Sequence, residues 1–432
     1  MLPELPASEL TAQGSDPRAC KLDRAALLAR DDADPLAALR DAFDLPADVL
    51  YLDGNSLGAL PRRALAIAQR VLQDEWRGGL IRSWDDAGWF SLPRRLGDKI
   101  ARLIGAAAGE VVVTDSTSVN LFKVLNAALQ LRAGRKTIVS ERENFPSDLY
   151  MAEGLAQMRG QGHVLHLVDA PAQLEAAITS DCAVLMLTHV NYRSGRMHDM
   201  DRITGLAHDK GALVVWDLAH SAGAVPLDLN ACAADFAVGC TYKYLNGGPG
   251  APAFVFAARR WQALSEQPLS GWWGHAAPFA FDAAYRPEDG IGRFLCGSAP
   301  ILSMAVAEAG IDLMLEATMQ RVRAKSIMQG ETFIALLRQE CAGLGLELVS
   351  PADPAMRGSQ VSLRHGQGFA IMQALVARGV IGDYREPGIL RFGFAPSYLR
   401  HVDIWDAVAA LKDVMLTHEW DQPKYRQRRA VT

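Results

Sequence analysis

Lys243 stands between Tyr242 and Tyr244, after the apolar run Phe236–Gly239 and before the loop Leu245-Asn246-Gly247-Gly248-Pro249-Gly250. A lysine so placed is held away from water, and a desolvated amine is the nucleophile needed for a Schiff base with a carbonyl compound. The glycines that follow leave room for a flat ligand; a lysine stem running to the surface is the commoner fate of this residue. Asp217 closes the run Ala212-Leu-Val-Val-Trp, where a carboxylate loses its hydration unless a cation meets it. It serves equally well as a cap for the next turn. A third segment, Thr114-Asp115-Ser116-Thr117-Ser118-Val119-Asn120, sets hydroxyls ahead of a helix. The first amides of a helix form an anion site, and the same hydroxyls are also ordinary N-caps.

Taken together the three segments offer a phosphate cradle, a carboxylate for a cationic ring nitrogen, and an amine for an aldehyde carbon. One cofactor carries all three groups, pyridoxal 5'-phosphate (PLP). Other motifs mislead. Gly54-Asn55-Ser56-Leu57-Gly58 fits G-x-S-x-G, but a nucleophile elbow needs strands ahead of it and a helix starting at the serine. Only an N-terminal arm precedes Ser56, and Pro61 delays the next helix, so a glycine turn is expected. His163 and His166 have an odd spacing on a predicted strand, which sends the rings to opposite faces; two satisfied histidines are expected rather than a metal site. Neither G-x-G-x-x-G opening a helix nor a Walker sequence occurs.

These residues need a scaffold that brings strand ends together. Short apolar runs predict strands at 111–114, 137–140, 163–167, 183–187, 212–216, 236–239 and 253–256, with helices near 118–131, 148–159, 172–179 and 200–210. Continuous apolar strands alternating with helices indicate a parallel sheet covered on both faces. The loop between the last two strands is too short for a helical crossover, so that pair is antiparallel and the sheet is mixed. The expected fold is α/β, a large domain on a mostly parallel seven-stranded sheet plus a smaller C-terminal α+β domain. The stretch 300–342 reads as one long or two successive helices interrupted near Thr318, with strands near 346–349, 360–363 and 389–394 and helices near 369–378 and 403–416 beyond it. The domains are drawn as an N-terminal arm packing with the small domain (1–50), a large domain (51–300), and a linking helix with the small domain (301–432).

Of 432 residues, 50% are hydrophobic and 22% charged, as in folded globular chains. A net charge of -5 with no basic block argues against nucleic acid as a partner. No apolar run approaches the roughly 20 residues that span a bilayer, and no signal peptide is read at Met1, so neither a membrane partner nor export is expected. The six cysteines form no CxxC pair and suit reduced thiols in the cytoplasm.

The order of hydroxyl loop, aspartate and lysine resembles the fold type I PLP enzymes of the aminotransferase class V branch. Tyr51-Leu-Asp-Gly-Asn-Ser-Leu-Gly58, Phe145-Pro-Ser-Asp148, Trp216-Asp-Leu-Ala-His220, Tyr242-Lys243, Gly271-Trp-Trp-Gly-His275 and Arg391-Phe-Gly-Phe394 are similar to kynureninases, and they cover nearly the whole chain after residue 50. The resemblance implies PLP-dependent hydrolysis of L-kynurenine to anthranilate and L-alanine, in tryptophan degradation. It implies that Lys243 holds PLP and shuttles the α-proton, that Asp217 pairs with the ring nitrogen, and that Thr117 and Ser118 bind the phosphate with Tyr242 close by. Phe145 would stack on the ring, while Ser147, Asp148 and His220 would contact the cofactor's polar edge. Trp272 and Ser298 match positions that reach the phosphate of a neighbouring subunit, which implies a homodimer. Arg391 would clamp the substrate carboxylate, Tyr242 would act as an acid, and Trp84 and Asn55 are candidates for the aryl pocket. Ser298 stands where vertebrate members carry asparagine, which implies a preference for kynurenine over its 3-hydroxy derivative.

Two rivals share the key residues. A cysteine desulfurase or an aminotransferase of the same branch would keep Asp217 and Lys243, but a desulfurase needs a mobile, exposed cysteine, and Cys341 follows an apolar helix. A non-catalytic PLP-fold protein would have no use for Lys243, Asp217 and Arg391 together.

Overall fold

Apolar runs bounded by turn residues become the strands of the larger sheet, and the computed structural model describes residues 8–9 and 21–428. The strands are β1 (Val111–Val113), β2 (Thr137–Glu141), β3 (Val164–Val168), β4 (Cys182–Thr188), β5 (Leu213–Asp217), β6 (Phe236–Gly239) and β7 (Phe254–Ala257). They form one seven-stranded sheet in the order β1-β7-β6-β5-β4-β2-β3. β7 runs antiparallel to β6 and β1, and the remaining pairs are parallel. The expected mixed α/β sheet is what forms. β4 and β5 are buried along their whole length, as strands covered on both faces must be.

The helices are α1 (Arg24–Asp32), α2 (Arg62–Arg70), α3 (Leu92–Ile104), α4 (Thr117–Leu131), α5 (Pro146–Arg159), α6 (Met200–Asp209), α7 (Ile301–Ala317), α8 (Met319–Glu340), α9 (Gly368–Ala377) and α10 (His401–Leu416). Thr318, at φ +61°, breaks α7 from α8, a conformation costly for a β-branched residue. One element needs correction: the helix near 172–179 is only a 3-10 turn at Pro171–Gln173 and one helical turn at Leu174–Ala177. No helix starts at Ser56; the next one, α2, begins at Arg62, directly after Pro61, as expected.

The chain forms two compact units, residues 1–62, 193–197 and 316–432 in one and 63–192 and 198–315 in the other. Two of the four breaks, at 62/63 and 315/316, lie 12 and 15 residues beyond the boundaries at 50/51 and 300/301 expected from the sequence, and the other two set off residues 193–197. The first unit carries a five-stranded antiparallel sheet in the order Ser8–Glu9, β8 (Glu347–Leu348), β9 (Gln360–Arg364), β11 (Ile389–Gly393), β10 (Asp383–Arg385). Within it the Asp31 carboxylate accepts from the His401 and Val402 amides, capping α10 where its first amides lack partners. Among the described residues, no helix is long and apolar enough to cross a membrane.

Candidate active site

At the carboxyl ends of the second unit's strands lies a cavity of 380 Å³ whose walls include Asp115, Thr117, Ser118, Phe145, Ser147, Asp148, Asp217, His220, Tyr242 and Lys243. Each side chain arrives by its own element. Ser116 caps α4, its hydroxyl accepting from the Val119 amide at 3.4 Å, which sets Thr117 and Ser118 in the first turn. Pro146 is tolerated at the start of α5 and puts Asp148 in that helix's first turn. Asp217 is the last residue of β5, and its Oδ1 accepts from the Ala219 amide at 2.7 Å. The Lys243 Nζ lies 2.9 Å from His220 Nε2 and about 6.0 Å from the centre of the Phe145 ring. Phe145 itself stands edge-on to Tyr192, 5.2 Å between centroids.

Burial and charge crowd the carboxylates. Burial, and then the charge of Asp217, push Asp148 well above the usual carboxylate range. Burial also raises Asp217, against the opposing charge of Lys243. Asp148 Oδ2 is buried with no hydrogen-bond partner, a cost few native groups carry without purpose. The Tyr242 phenol is held above its ordinary value, first by Cys240 beside it and then by burial, so it keeps its proton at neutral pH. A wall with two strained carboxylates, a helix N-terminus ringed by hydroxyls, an aromatic face and an amine fits a ligand with a cationic ring nitrogen, a phosphate and an aldehyde. PLP has this make-up.

Other singled-out residues lie elsewhere. Trp272 and Ser298 belong to the second unit but not to the cavity walls; Ser298 is exposed and Trp272 half-buried. Trp84 is also outside the walls, packed edge-on against Trp272 and Trp273 at 5.7 and 5.3 Å. Arg391 and Asn55 are in the first unit. There Arg391 lies opposite Asp383 in the β11–β10 register, donates from Nε to its Oδ1 at 2.6 Å and from Nη2 to the Ser56 hydroxyl at 3.0 Å. Burial works to raise the Asp383 carboxyl, but Arg391 and Arg385 outweigh it and hold it below its ordinary value. Ser56 donates to Asp383 Oδ2 at 2.7 Å, an ion-pair support rather than a nucleophile. Asn55 is buried with neither side-chain atom hydrogen-bonded.

His163 corrects another expectation, since it is buried with both ring nitrogens lacking partners and its pKa is lowered by burial. No cluster able to hold a metal occurs among the described residues. Thr188, the last residue of β4, and Tyr192 also line the cavity; the rule that ligands meet strand ends points to Thr188, while nothing in the pattern singles out Tyr192.

Known proteins bear on this geometry. The family model of the kynureninase C-terminal domain matches residues 322–411, and that of the DegT/DnrJ/EryC1/StrS aminotransferase family matches residues 94–239. Among solved structures, the chain resembles a cysteine desulfurase from Thermococcus onnurineus, with TM-score 0.75 and 19% identity over 88% of this chain and 98% of that one. It also resembles the cystine C-S lyase C-DES, in a variant with glycine covalently linked to its PLP cofactor, with TM-score 0.74 and 17% identity over 87% and 99% of the two chains. Those likenesses speak for the fold. A protein of Pseudomonas fluorescens named kynureninase is 55% identical over 94% of this chain and 98% of its own. One of the same name from Burkholderia pseudomallei strain 1106a is 58% identical over the same shares. Identity at that level along nearly the full length of both partners, on a fold and cavity of this chemistry, makes the chain a member of the kynureninase family.

Proposed function

We propose that this chain is a PLP-dependent hydrolase that splits the Cβ–Cγ bond of L-kynurenine, giving anthranilate and L-alanine with uptake of one water. The observation that carries it is the single cavity in which Lys243, Asp217, Asp148 and the α4 hydroxyls meet, in a chain of this family. When bound, PLP supplies an electron sink that acidifies the substrate's Cα and weakens its Cβ–Cγ bond. Lys243 takes and returns the Cα proton. Asp217 holds the proton on the ring nitrogen, Phe145 stacks on the ring face, and Asp148, Ser147 and His220 order its polar edge. Thr117 and Ser118 hold the phosphate. Tyr242, which keeps its proton, delivers it to Cβ after cleavage. Arg391 clamps the substrate's carboxylate with a fork that Asp383 pre-orients. Asn55, buried beside that strand, is a further substrate contact.

Trp272 and Ser298 serve the site of a second copy in a homodimer, and Trp84, packed against Trp272, belongs to the aryl pocket. Support for the dimer comes from the position of Trp272 and Ser298 outside their own cavity, and from exposed apolar side chains nearby: Trp76, Leu80, Ile81, Phe279 and Phe281, which mark an interaction surface. We assign the enzyme to the cytoplasm on its five described cysteines, all unpaired. A desulfurase reading is disfavoured because Cys341 is buried and its thiol, through burial first, is pushed up to about 12. Ser298 supports the preference for kynurenine, which equal efficiency on the 3-hydroxy substrate would refute.

The test is purified protein with PLP and L-kynurenine, followed by anthranilate fluorescence, alongside Lys243→Ala. Product from the parent and none above background from the variant is expected. A parent that takes up PLP, seen by its visible absorbance, yet makes no anthranilate would overturn the substrate.

A further inference from the structure

Lys123 lies inside α4 with no exposed surface. Its Nζ donates to Asp115 Oδ2 and to the Phe294 carbonyl. Asp115 in turn is part of the cavity wall that presents Thr117 and Ser118. It sits at φ +43°, a left-handed conformation that aspartate tolerates better than most residues. Thr114 Oγ1 donates to the same Oδ2 at 2.7 Å, and Asn120 Nδ2 donates to the Thr114 carbonyl at 2.7 Å. The loop is thus held in one shape, with its carboxylate turned back toward the buried ammonium.

A carboxylate in the wall of a phosphate cradle is a liability, since like charges at short range in a water-poor site repel strongly. A buried lysine is also costly unless paired. The pair removes both problems. Resting on the PLP reading above, we propose that Lys123 is a positioning residue for the cofactor's phosphate: it cancels Asp115 and fixes the loop, so that the hydroxyls and amides at the start of α4 meet the phosphate without a competing negative charge. The bond to Phe294 keeps the ammonium beneath the loop and away from the ligand.

The test separates the phosphate from the rest of the cofactor. PLP and pyridoxal, which lacks the phosphate, are titrated into the apo forms of the parent, Lys123→Met, and Lys123→Met with Asp115→Asn, following the visible absorbance of bound cofactor. Lys123→Met is expected to bind PLP at least tenfold more weakly and pyridoxal as the parent does, and the added Asp115→Asn to recover most of the loss. Equal losses for both ligands, no loss for either, or no recovery in the double variant overturns the proposal. Should Lys123→Met not fold, Asp115→Asn alone decides: it leaves the ammonium uncancelled and is expected to bind PLP at least as tightly as the parent, whereas a tenfold loss rejects the idea. A parent that binds neither ligand would instead remove the cofactor reading itself.

Discussion

Asp148 and Asp217 share a buried wall, and the folded chain without cofactor keeps them close at a cost. A carboxyl raised above its unfolded value, about 3.9, favours the folded state fully below that pH, and the benefit is lost as pH climbs toward the raised value. Burial and Asp217 raise Asp148 in this way. Replacing it by asparagine removes the charge at similar size, so the Asp148→Asn apoenzyme should melt higher than the parent at pH 8, by on the order of 2 °C. At pH 4 the difference should vanish. Equal melting at pH 8 would show that the carboxylate is not strained there. With PLP bound, the same variant should be the poorer enzyme, because a cationic ring turns the carboxylate from a burden into a partner.

At the scale of elements, the seven strands were legible because each is an apolar run closed by turn residues, and Asp217 and Lys243 were legible because they follow such runs. Helix α3 went unread, since Pro93 and Gly97 look like breakers. Pro93 stands in the first turn, where its missing amide costs nothing, and a Cβ on Gly97 would come within 2.1 Å of the Val111 carbonyl, so the glycine admits β1 rather than ending the helix. Strand β10 was hidden for another reason: Asp-Tyr-Arg is polar because Asp383 faces Arg391 across the register, and a cross-strand partner leaves no trace in local pattern. Strand β11 carries a matching constraint. A Cβ on Gly393 would sit 1.9 Å from Asn55 Oδ1, two residues from Arg391 on the same face of the strand. Gly393→Ala should therefore raise the KM for L-kynurenine by roughly tenfold or more, as lost ground-state binding does, with the cofactor's absorbance unchanged. An unaltered KM would remove Asn55 and its strand from substrate recognition.

For the whole molecule, the placement of Trp272 outside its own cavity predicts complementation between copies. Lys243→Ala and Trp272→Ala should each be poor alone. A mixed dimer holds one site with the intact lysine facing the other copy's intact tryptophan, so random re-association should restore about a quarter of the parental sites in a two-fold assembly. No recovery after confirmed subunit exchange would place Trp272 in service of its own chain. The discontinuous first unit has a further effect, on the timing of synthesis. Residues 21–62 leave the ribosome long before α10, yet α1 finds its place only when α10 exists to receive the Asp31 cap. At about 5–20 residues per second, that segment waits roughly 20–70 s for its partner, exposed all the while to chaperones and proteases.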